Sequence, residues 1–437
     1  MISTASLSQP IDIAIIGAGA AGMAAGIFAA QTRPDLSIVL LDGARTIGAK
    51  ILVSGGGRCN VTNVRVTSSD FNGTHRFVER VLQRFDEQAT AQWFDSLGVP
   101  LKEEPAGKLF PVTNTARTVL QALLDQITTL GVRLLPQHRV KGLTPHEQHF
   151  SIETEGETFI ARRIILATGG QSLPKTGSDG YGWMIARQLG HTVTPTYPAL
   201  VPLLIHDPFF HQTLSGISHE VTLMTRVDDK LVDRRTGSLL WTHFGISGPV
   251  TLDASRFWII AHGQGHEVTL FLNFFPGQSF EDIDRWLSNA GVTSGRQTVA
   301  GLLSERLPVR VAKTMCAYIN DAFPPTPQEA RPQEKTKDLG TTPLGELRRS
   351  TRRTLTQALT NLSLPVIGSR GWNFAEVTAG GIPLKEVNPY SMASRKLPGL
   401  YLIGEMLDCD GRIGGFNFQW AWSTGYIAGT HAAESLT

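Results

Sequence analysis

The chain has 437 residues, 41% of them hydrophobic and 18% charged, so its composition is that of a globular protein and excludes wholesale disorder. Lys and Arg total 40 and Asp and Glu total 38, and a net charge of +2 argues against a general binder of nucleic acid or of a membrane surface, which needs a basic field. At roughly 150 residues per domain, the length predicts about three domains. The cysteines are few and far apart (Cys59, Cys316 and Cys409) and form no C-x-x-C motif. We therefore expect a reduced, cytoplasmic protein with neither a disulfide framework nor a metal site.

The first elements in chain order are a buried strand over 11–16, an Ala-rich helix that runs to about Gln31, and an apolar strand over 37–41. This β-α-β order predicts the start of a parallel sheet. A capped helix follows over 86–97, and Asn114 is expected to cap a second one. A short buried strand over 164–167 then runs into Thr168-Gly169-Gly170. The uncharged stretches 13–32 and 413–430 contain glycines or polar residues and are interpreted as buried elements, not membrane spans.

The middle of the chain has a different character. Alternating patterns between Pro195 and Gly277 predict a β-rich domain of the small-barrel type. A capping-box pattern at 279–282 opens a region of helical patterns that extends to about Leu362. A final strand over 399–403, a glycine-rich turn and a helix end the chain. The order predicts an α/β protein whose nucleotide-binding domain is built from both chain ends (1–194 and 383–437). It would carry an inserted β-barrel domain (195–277 and 362–382) with a helical insert (278–361).

The first strand leads directly into Gly17-Ala18-Gly19-Ala20-Ala21-Gly22, the G-x-G-x-x-G fingerprint of dinucleotide binding. Gly17 permits the tight turn, Gly19 lets a pyrophosphate approach the backbone, and Gly22 allows close packing of helix on strand. The phosphates would then lie at the helix N-terminus. Asp42 ends the second strand, 20 residues beyond Gly22, where an acid is expected to bind ribose hydroxyls. Nucleotide binding is favoured over a purely structural glycine turn.

A second glycine cluster favours FAD over NAD. Ser54-Gly55-Gly56-Gly57-Arg58-Cys59-Asn60 exposes a run of backbone N–H groups and adds a cation, which suits a cofactor with a long pyrophosphate–ribityl arm. The alternative is a plain flexible loop. Near the other end of the chain, Gly404-Glu405 places an acid where it can bind a ribityl chain. A glycine-rich turn over 411–419 then leads into the last helix, whose N-terminus near Asn417 suits the negative charge of a reduced flavin.

Six segments give the sequence a specific resemblance to the YhiN/BaiN-like family of bacterial FAD-binding flavoproteins. They are IAIIGAGAAGMAA, KILVSGGGRCNVTN, ATGGQSLPKTGSDGYGWMIARQLGH, PALVPL, HFGISGP and LPGLYLIGEMLDCDGRIGGFNFQWAWSTGYIAG. The resemblance implies a two-part Rossmann-like FAD-binding domain, a β-barrel and a helical insert, and it fixes the cofactor better than the substrate, since members are linked to both amine oxidation and enone reduction. It implies FAD contacts at Gly17, Gly19, Gly22, Asp42, Arg58, Asn60, Val140, Gly169, Gly404, Glu405, Gly415 and Asn417. From the same motifs we add Ala20, Ala21, Gly43, Ser54, Gly56, Gly57, Ala167, Thr168, Gly414 and Phe416 as cofactor-binding candidates.

Other candidates are weaker. His243 is either a substrate-facing side chain or a structural histidine, and Arg412 either clamps a substrate or flavin group or forms a surface ion pair. Cys59 has no resolving cysteine, which favours packing over a redox thiol. The glycines at 177–182 lack the flanking strands of a second fingerprint and are better explained as a turn followed by a helix. NAD(P)H therefore has no dedicated domain, although it remains a possible reductant.

The sequence as a whole predicts an enzyme with non-covalent FAD that transfers a hydride between a small organic substrate and flavin N5. Its subtype, resembling an amine oxidase or an ene-reductase, stays open, as do its catalytic base and its oligomeric state. Two alternatives remain, a tRNA-modifying flavoprotein and a non-catalytic FAD-binding sensor. The charge balance opposes the first, so we expect no nucleic-acid partner and no membrane partner.

Overall fold

The structure is a computed structural model that describes residues 11–322 and 338–436. The chain divides into two compact units: the first unit comprises Met1–Pro198 with Trp372–Thr437, and the second comprises Ala199–Gly371. In the part of the chain that is described, no helix combines the length and the apolar character needed to cross a membrane.

The strands are β1 (Ile11–Ile16), β2 (Ile38–Leu41), β3 (Thr62–Asn63), β4 (Phe71–Asn72), β5 (Leu101–Glu104), β6 (Lys108–Pro111), β7 (Arg133–Leu135), β8 (Val140–Pro145), β9 (Phe150–Thr154), β10 (Thr158–Leu166), β11 (Tyr197–Ala199), β12 (Leu203–Ile205), β13 (Ser218–Val227), β14 (Lys230–Thr242), β15 (Gly245–Ser247), β16 (Val268–Asn273), β17 (Leu362–Leu364), β18 (Val366–Ser369), β19 (Val377–Ala379), β20 (Leu400–Leu402) and β21 (Asp410–Gly411). The helices are α1 (Ala20–Thr32), α2 (Ala49–Val53), α3 (His75–Leu82), α4 (Glu87–Ser96), α5 (Ala116–Thr129), α6 (Tyr181–Gln188), α7 (Pro249–Gly263), α8 (Phe280–Thr293), α9 (Val299–Leu303), α10 (Val309–Ala322), α11 (Arg349–Thr360) and α12 (Phe416–Glu434).

The first unit is a Rossmann-like α/β fold built on a mixed sheet in the order β7-β2-β1-β10-β9-β8, with β20 also paired to β10. Strands β7, β2, β1, β10 and β20 are parallel, whereas β9 runs antiparallel to both of its neighbours, β10 and β8. Ile16 of β1 lies opposite both Leu41 and Leu166, and Leu166 lies opposite Leu402. Because these four strands end in register, the residues that follow them meet at one edge of the sheet, where ligands bind in open α/β folds.

Helices α1 and α12 pack tightly against each other in the first unit. Residues 21–30 of α1 are all buried, as a helix without a polar face must be. A Cβ atom on Gly425 would lie 2.7 Å from the carbonyl oxygen of Ala21, and one on Gly429 would strike the carbonyl oxygen of Ala25. Small residues on α12 thus let the two backbones approach closely, and this contact joins the two chain ends of the unit.

The second unit contains an antiparallel seven-stranded sheet in the order β17-β16-β13-β14-β15-β12-β18 and the helices α7 to α11. Between residues 199 and 371, leaving aside 323–337, no strand pairing joins the end strands β17 and β18. The division into a β-barrel and a helical insert, with its residue boundaries, stays a prediction. The capping box that opens α8 is present, because the Ser279 hydroxyl accepts from the Asp282 amide while the Asp282 carboxylate accepts from the Ser279 amide.

Two local features differ from the sequence prediction. The β-rich interpretation of 195–277 missed α7, a 15-residue helix that begins at Pro249 after Gly248, whose φ of 87° ends the preceding extended segment. Proline at the first helical position suits a helix start, a signal that the surrounding strand patterns obscured. The cap of α5 is Thr115, whose hydroxyl accepts from the Arg117 amide, and not Asn114, which takes a left-handed φ of 54° one residue earlier.

Candidate functional site

The glycine fingerprint lies between β1 and α1, and its three glycines meet different surroundings. Gly17 has a φ of 104°, and a Cβ atom there would strike the Ala167 carbonyl oxygen. A Cβ atom on Gly22 would strike the carbonyl oxygen of Gly17. At Gly19, by contrast, a Cβ atom would find no atom within 4 Å, and this residue is the N-cap of α1. Gly17 and Gly22 are therefore required by packing, whereas Gly19 borders an open space in front of the helix N-terminus. Ala20 and Ala21 form the first turn of that helix.

Asp42 follows β2 and forms hydrogen bonds to the glycine loop and to the loop after β2. Its Oδ2 accepts from the Ala18 amide at 2.7 Å and its Oδ1 accepts from the Ala44 amide at 2.7 Å. The half-buried carboxylate therefore lies directly beside the glycine loop, as the spacing predicted. Gly43 comes next, and a Cβ atom there would lie 3.0 Å from the Cβ of Arg139.

The second glycine cluster forms an exposed loop after α2. Gly55, Gly56 and Gly57 all have left-handed φ values, between 55° and 84°, and a Cβ atom on Gly56 would meet nothing within 4 Å. Ser54 begins the loop and donates its hydroxyl to the Ile51 carbonyl at 2.7 Å. Three successive left-handed residues need glycine, and the Gly57 amide closes the turn by donating to the Ser54 carbonyl at 3.0 Å.

Arg58 is paired within the first unit. Its Nη1 donates to both carboxylate oxygens of Glu104, at 2.8 and 2.9 Å, and its guanidinium lies 4.1 Å from the centre of the Phe110 ring. The cation expected beside the glycine cluster is thus compensated by an acid that sequence reasoning did not single out.

Two buried polar atoms near this edge have no hydrogen-bond partner among the described residues. They are Oδ1 of Asn60 and Oγ1 of Thr168. Ala167, which precedes Thr168, donates its amide to the Ile16 carbonyl at 2.8 Å, and Gly169 turns the chain with a φ of 74°. Val140, at the start of β8, is buried. Buried polar groups normally find partners, and the described residues leave the hydrogen-bonding capacity of these two atoms unused.

Glu405 is the centre of a network that sequence reasoning found only in part. Its Oε1 accepts from the Ser172 hydroxyl at 2.7 Å and from the Thr378 amide at 2.9 Å, and its Oε2 pairs with the Lys50 ammonium. Lys50 also donates to Ser172 Oγ at 2.5 Å. Lys50 lies within the family motif KILVSGGGRCNVTN, but the sequence analysis assigned no role to its side chain.

The C-terminal glycine turn places the start of α12 at the same edge. Gly414 and Gly415 have φ values of 134° and 93°, and a Cβ atom on Gly415 would lie 2.5 Å from the Thr62 carbonyl oxygen. Phe416 begins α12 and is buried. Asn417 closes the turn, because its Oδ1 accepts from the Gly411 amide and its Nδ2 donates to the Gly411 carbonyl, both at 2.8 Å.

Helix α12 also holds Gly404. The Gly404 amide donates to the Thr424 hydroxyl at 3.1 Å, and the Gly404 carbonyl accepts from Trp420 Nε1 at 3.1 Å. Trp420 and Trp422 are almost fully buried, at 1% and 0% exposure, which supports their interpretation as core residues. Gly404-Glu405 is therefore fixed from the helix side and from the sheet side.

The weaker candidates lie in different surroundings. His243 belongs to the second unit, where it is exposed with its ring edge-on to Phe244 at 5.1 Å. Arg412 is 47% exposed and pairs with Asp70 at 2.9 Å, which favours the ion-pair interpretation. Burial raises the pKa of the Cys59 thiol to about 12, so this thiol stays protonated near neutral pH and is a packing group.

The glycines of 177–182 do not follow a strand. A 3-10 turn over Pro174–Thr176 precedes them, and Gly180, with a φ of 80°, is the N-cap of the eight-residue helix α6. This is the predicted turn and helix. Across residues 11–322 and 338–436, no group of three or more His, Cys, Asp or Glu side chains is placed to hold a metal ion.

Comparison with known proteins places this geometry in a family. Residues 11–431 match the family model described as HI0933-like protein Rossmann domain. The 3-dehydro-bile acid delta(4,6)-reductase of Clostridium scindens is 33% identical over 429 residues, which cover 97% of this chain and 99% of that protein. The ribosomal RNA dihydrouridine synthase of Escherichia coli is 32% identical over 424 residues, covering 96% and 97% of the two chains.

Among solved structures, the quinol fumarate reductase subunit FrdA of Escherichia coli aligns with a TM-score of 0.50 at 17% identity, over 98% of this chain and 70% of that one. The 3-ketosteroid delta1-dehydrogenase of Sterolibacterium denitrificans aligns with a TM-score of 0.50 at 12% identity, over 98% and 100%. These likenesses show that this chain shares the fold of those two proteins. The match to the family model over nearly the whole chain shows that the protein belongs to the HI0933-like family of Rossmann flavoproteins, the YhiN/BaiN-like proteins whose motifs it carries.

Proposed function

We propose that this flavoprotein binds FAD non-covalently in its first unit and transfers a hydride between flavin N5 and an organic substrate whose carbon–carbon double bond is conjugated to a carbonyl group. The observation that carries the proposal is the open space at Gly19, in front of the α1 N-terminus and beside the Asp42 carboxylate. A pyrophosphate needs such a space, and the acid next to it suits a ribose.

The residues present fit FAD from end to end. The Gly17–Gly22 loop and the amides at the start of α1 would hold the pyrophosphate, and Asp42 the adenosine ribose. The loop over 54–57 and the orphaned oxygens of Asn60 and Thr168 offer hydrogen-bonding groups for the rest of the cofactor. The start of α12 would stabilise negative charge at the flavin ring. A bound flavin that an external two-electron donor has reduced would supply the hydride, and a proton would complete the saturation of the substrate double bond.

The names of the similar proteins from Clostridium scindens and Escherichia coli support this reaction class. A delta(4,6)-reductase of a 3-dehydro compound acts on double bonds near a carbonyl. Dihydrouridine differs from uridine in that one ring double bond, conjugated to a carbonyl in uridine, is saturated. Both names describe reduction of a polarised carbon–carbon double bond. An enone is therefore favoured over an amine as the substrate class.

Ribosomal RNA is a second candidate substrate. Relatives at 32% and 29% identity, from Escherichia coli and Haemophilus influenzae, carry the name ribosomal RNA dihydrouridine synthase. The expectation of no nucleic-acid partner, drawn from the net charge of +2, is therefore not supported. The tRNA-modifying alternative stays a prediction, and the names of these relatives add ribosomal RNA as a second kind of RNA substrate.

One anaerobic experiment tests the proposal. The protein is purified, heated to release its flavin, and the flavin is identified by chromatography; we expect FAD in the supernatant. The chemically reduced holoprotein is then mixed with enones, with uridine-rich RNA and with buffer alone, and the oxidised protein with amines, while flavin absorbance is followed. Rapid reoxidation by enones or RNA, with a saturated product, supports the proposal. FMN, flavin retained on the precipitate, or bleaching by amines alone would contradict it, and no response to any compound would favour the sensor.

A further inference from the structure

Lys50 is a cation at the candidate cofactor site with no role in the proposed function so far. It lies in α2, and its ammonium contacts the Glu405 carboxylate and the Ser172 hydroxyl. The Lys50 side chain is 26% exposed and that of Glu405 is 18% exposed, so the pair is largely withdrawn from solvent. A pair with this much burial is screened less than a surface salt bridge.

The network orients Glu405 before any ligand arrives. Ser172, whose side chain is fully buried, donates to Glu405 Oε1, and the Thr378 amide donates to the same oxygen. The Thr378 hydroxyl in turn accepts from the amides of Gln171 and Ser172, at 2.8 and 3.1 Å. Hydrogen bonds thus connect three chain segments, around residues 172, 378 and 405. Lys50 connects a fourth segment, because its ammonium contacts the other carboxylate oxygen of Glu405, Oε2.

The other cations near this site are paired differently. Arg58 is bound by Glu104 and Arg412 by Asp70, and neither acid is a predicted cofactor residue. Lys50 is paired with an acid that is itself predicted to contact the cofactor. Removal of its charge would therefore leave an uncompensated carboxylate facing the ligand, whereas removal of either arginine would not.

We propose that Lys50 is a positioning residue of the flavin site. It holds the Glu405 carboxylate in place and neutralises its charge, so that both FAD affinity and the midpoint potential of the flavin depend on it. The inference rests on the proposed function only in requiring that FAD binds here. An unbalanced carboxylate disfavours the extra negative charge of a reduced flavin, so loss of Lys50 should lower the potential.

The test measures FAD affinity by fluorescence titration of the apoprotein and midpoint potential by equilibration with a reference dye. Lys50→Met is expected to weaken FAD binding at least about tenfold and to lower the potential. The reason is that it leaves the half-buried Glu405 carboxylate without a counter-ion. Glu405→Gln is expected to raise the potential. In the Glu405→Gln background, Lys50→Met should weaken binding by less than about twofold, since interacting residues are not additive.

Lys396→Met is the matched control. Lys396 is also a lysine of the first unit, more exposed than Lys50 at 35% of its side chain, and it binds the buried carboxylate of Glu386 at 2.9 Å, but neither residue is a predicted cofactor contact. We expect wild-type FAD affinity and potential in this variant. Lys50→Gln, which keeps a hydrogen-bond donor, replaces Lys50→Met if the latter does not fold.

Several results would overturn the inference. They are an unchanged midpoint potential in folded Lys50→Met or Lys50→Gln, equal losses of affinity in both Glu405 backgrounds, or an equal effect of Lys396→Met. Neither readout uses an organic substrate, so failure of the protein to reduce enones would leave the inference standing. A wild-type protein that binds no FAD would refute both.

Discussion

Gly19→Val separates loss of the cofactor from loss of the fold. The backbone of Gly19 has a φ of −80°, which any residue can adopt, and a Cβ atom there meets no protein atom within 4 Å. Valine is a poorer N-cap residue than glycine, which lowers the free energy of unfolding by up to about 1 kcal/mol. Valine also reduces the conformational freedom of the unfolded chain, which raises the free energy of unfolding by about 0.4–1 kcal/mol. The apoprotein should therefore unfold within about 1 kcal/mol of wild type.

The holoprotein should behave differently, because the valine side chain would occupy the space of the pyrophosphate. A ligand at a thousand times its dissociation constant stabilises a protein by about 4 kcal/mol. The variant should lose that contribution. Denaturant unfolding with and without added FAD measures both quantities in one series, and the flavin content of the purified protein gives an independent check.

Two variants serve as controls. Gly368→Val places the same side chain in β18 of the second unit, where a Cβ atom would lie 4.0 Å from its nearest neighbour, and should retain FAD. Gly22→Ala should destabilise even the apoprotein, because its Cβ would strike a backbone oxygen. A Gly19→Val protein purified with full flavin content would show that the cofactor does not lie where we place it.

Further predictions concern stability, reactivity and the reductant. Burial alone would raise the pKa of Glu386, but hydrogen bonds from Thr192, Lys396 and His191 outweigh it and lower the pKa to about 2 from an ordinary 4.5. This carboxylate should contribute on the order of 3 kcal/mol to the free energy of unfolding above pH ~4.5, and this contribution should disappear as the pH falls toward 2. The stability of Glu386→Gln should therefore depend less on pH in this range, and an acid unfolding curve as steep as that of wild type would refute this. Native Cys59 should resist iodoacetamide at pH 8 because its thiol is buried and protonated, and mass spectrometry showing alkylation before unfolding would contradict the assignment. NADPH and NADH should reduce the flavin weakly and without saturation at micromolar concentration, since no second fingerprint exists to hold them; stopped-flow rates above about 10 per second would overturn that argument.

Local sequence determined much of the first unit. A strand followed by G-x-G-x-x-G predicts its own turn, because steric limits on φ and on backbone approach act within a few residues. The positions of Gly17, Gly22 and Asp42 follow from this local rule, as do the ends of α1. In the second unit, the capping box at Ser279 follows from a local pattern of its own. The family motifs extended these predictions to the far end of the chain.

Only the tertiary structure decided which side chains neutralise one another. Lys50, on α2, and Glu405, which follows β20, are 355 residues apart, and no sequence spacing predicts their pairing. The same holds for Arg58, whose partner Glu104 lies on β5, and for the orphaned oxygens of Asn60 and Thr168. Helix α7 was also missed, because an apolar run next to strands satisfies either period until packing selects one. Periodicity constrains the backbone locally, whereas the charge and hydrogen-bonding state of a site depends on residues that only folding brings together.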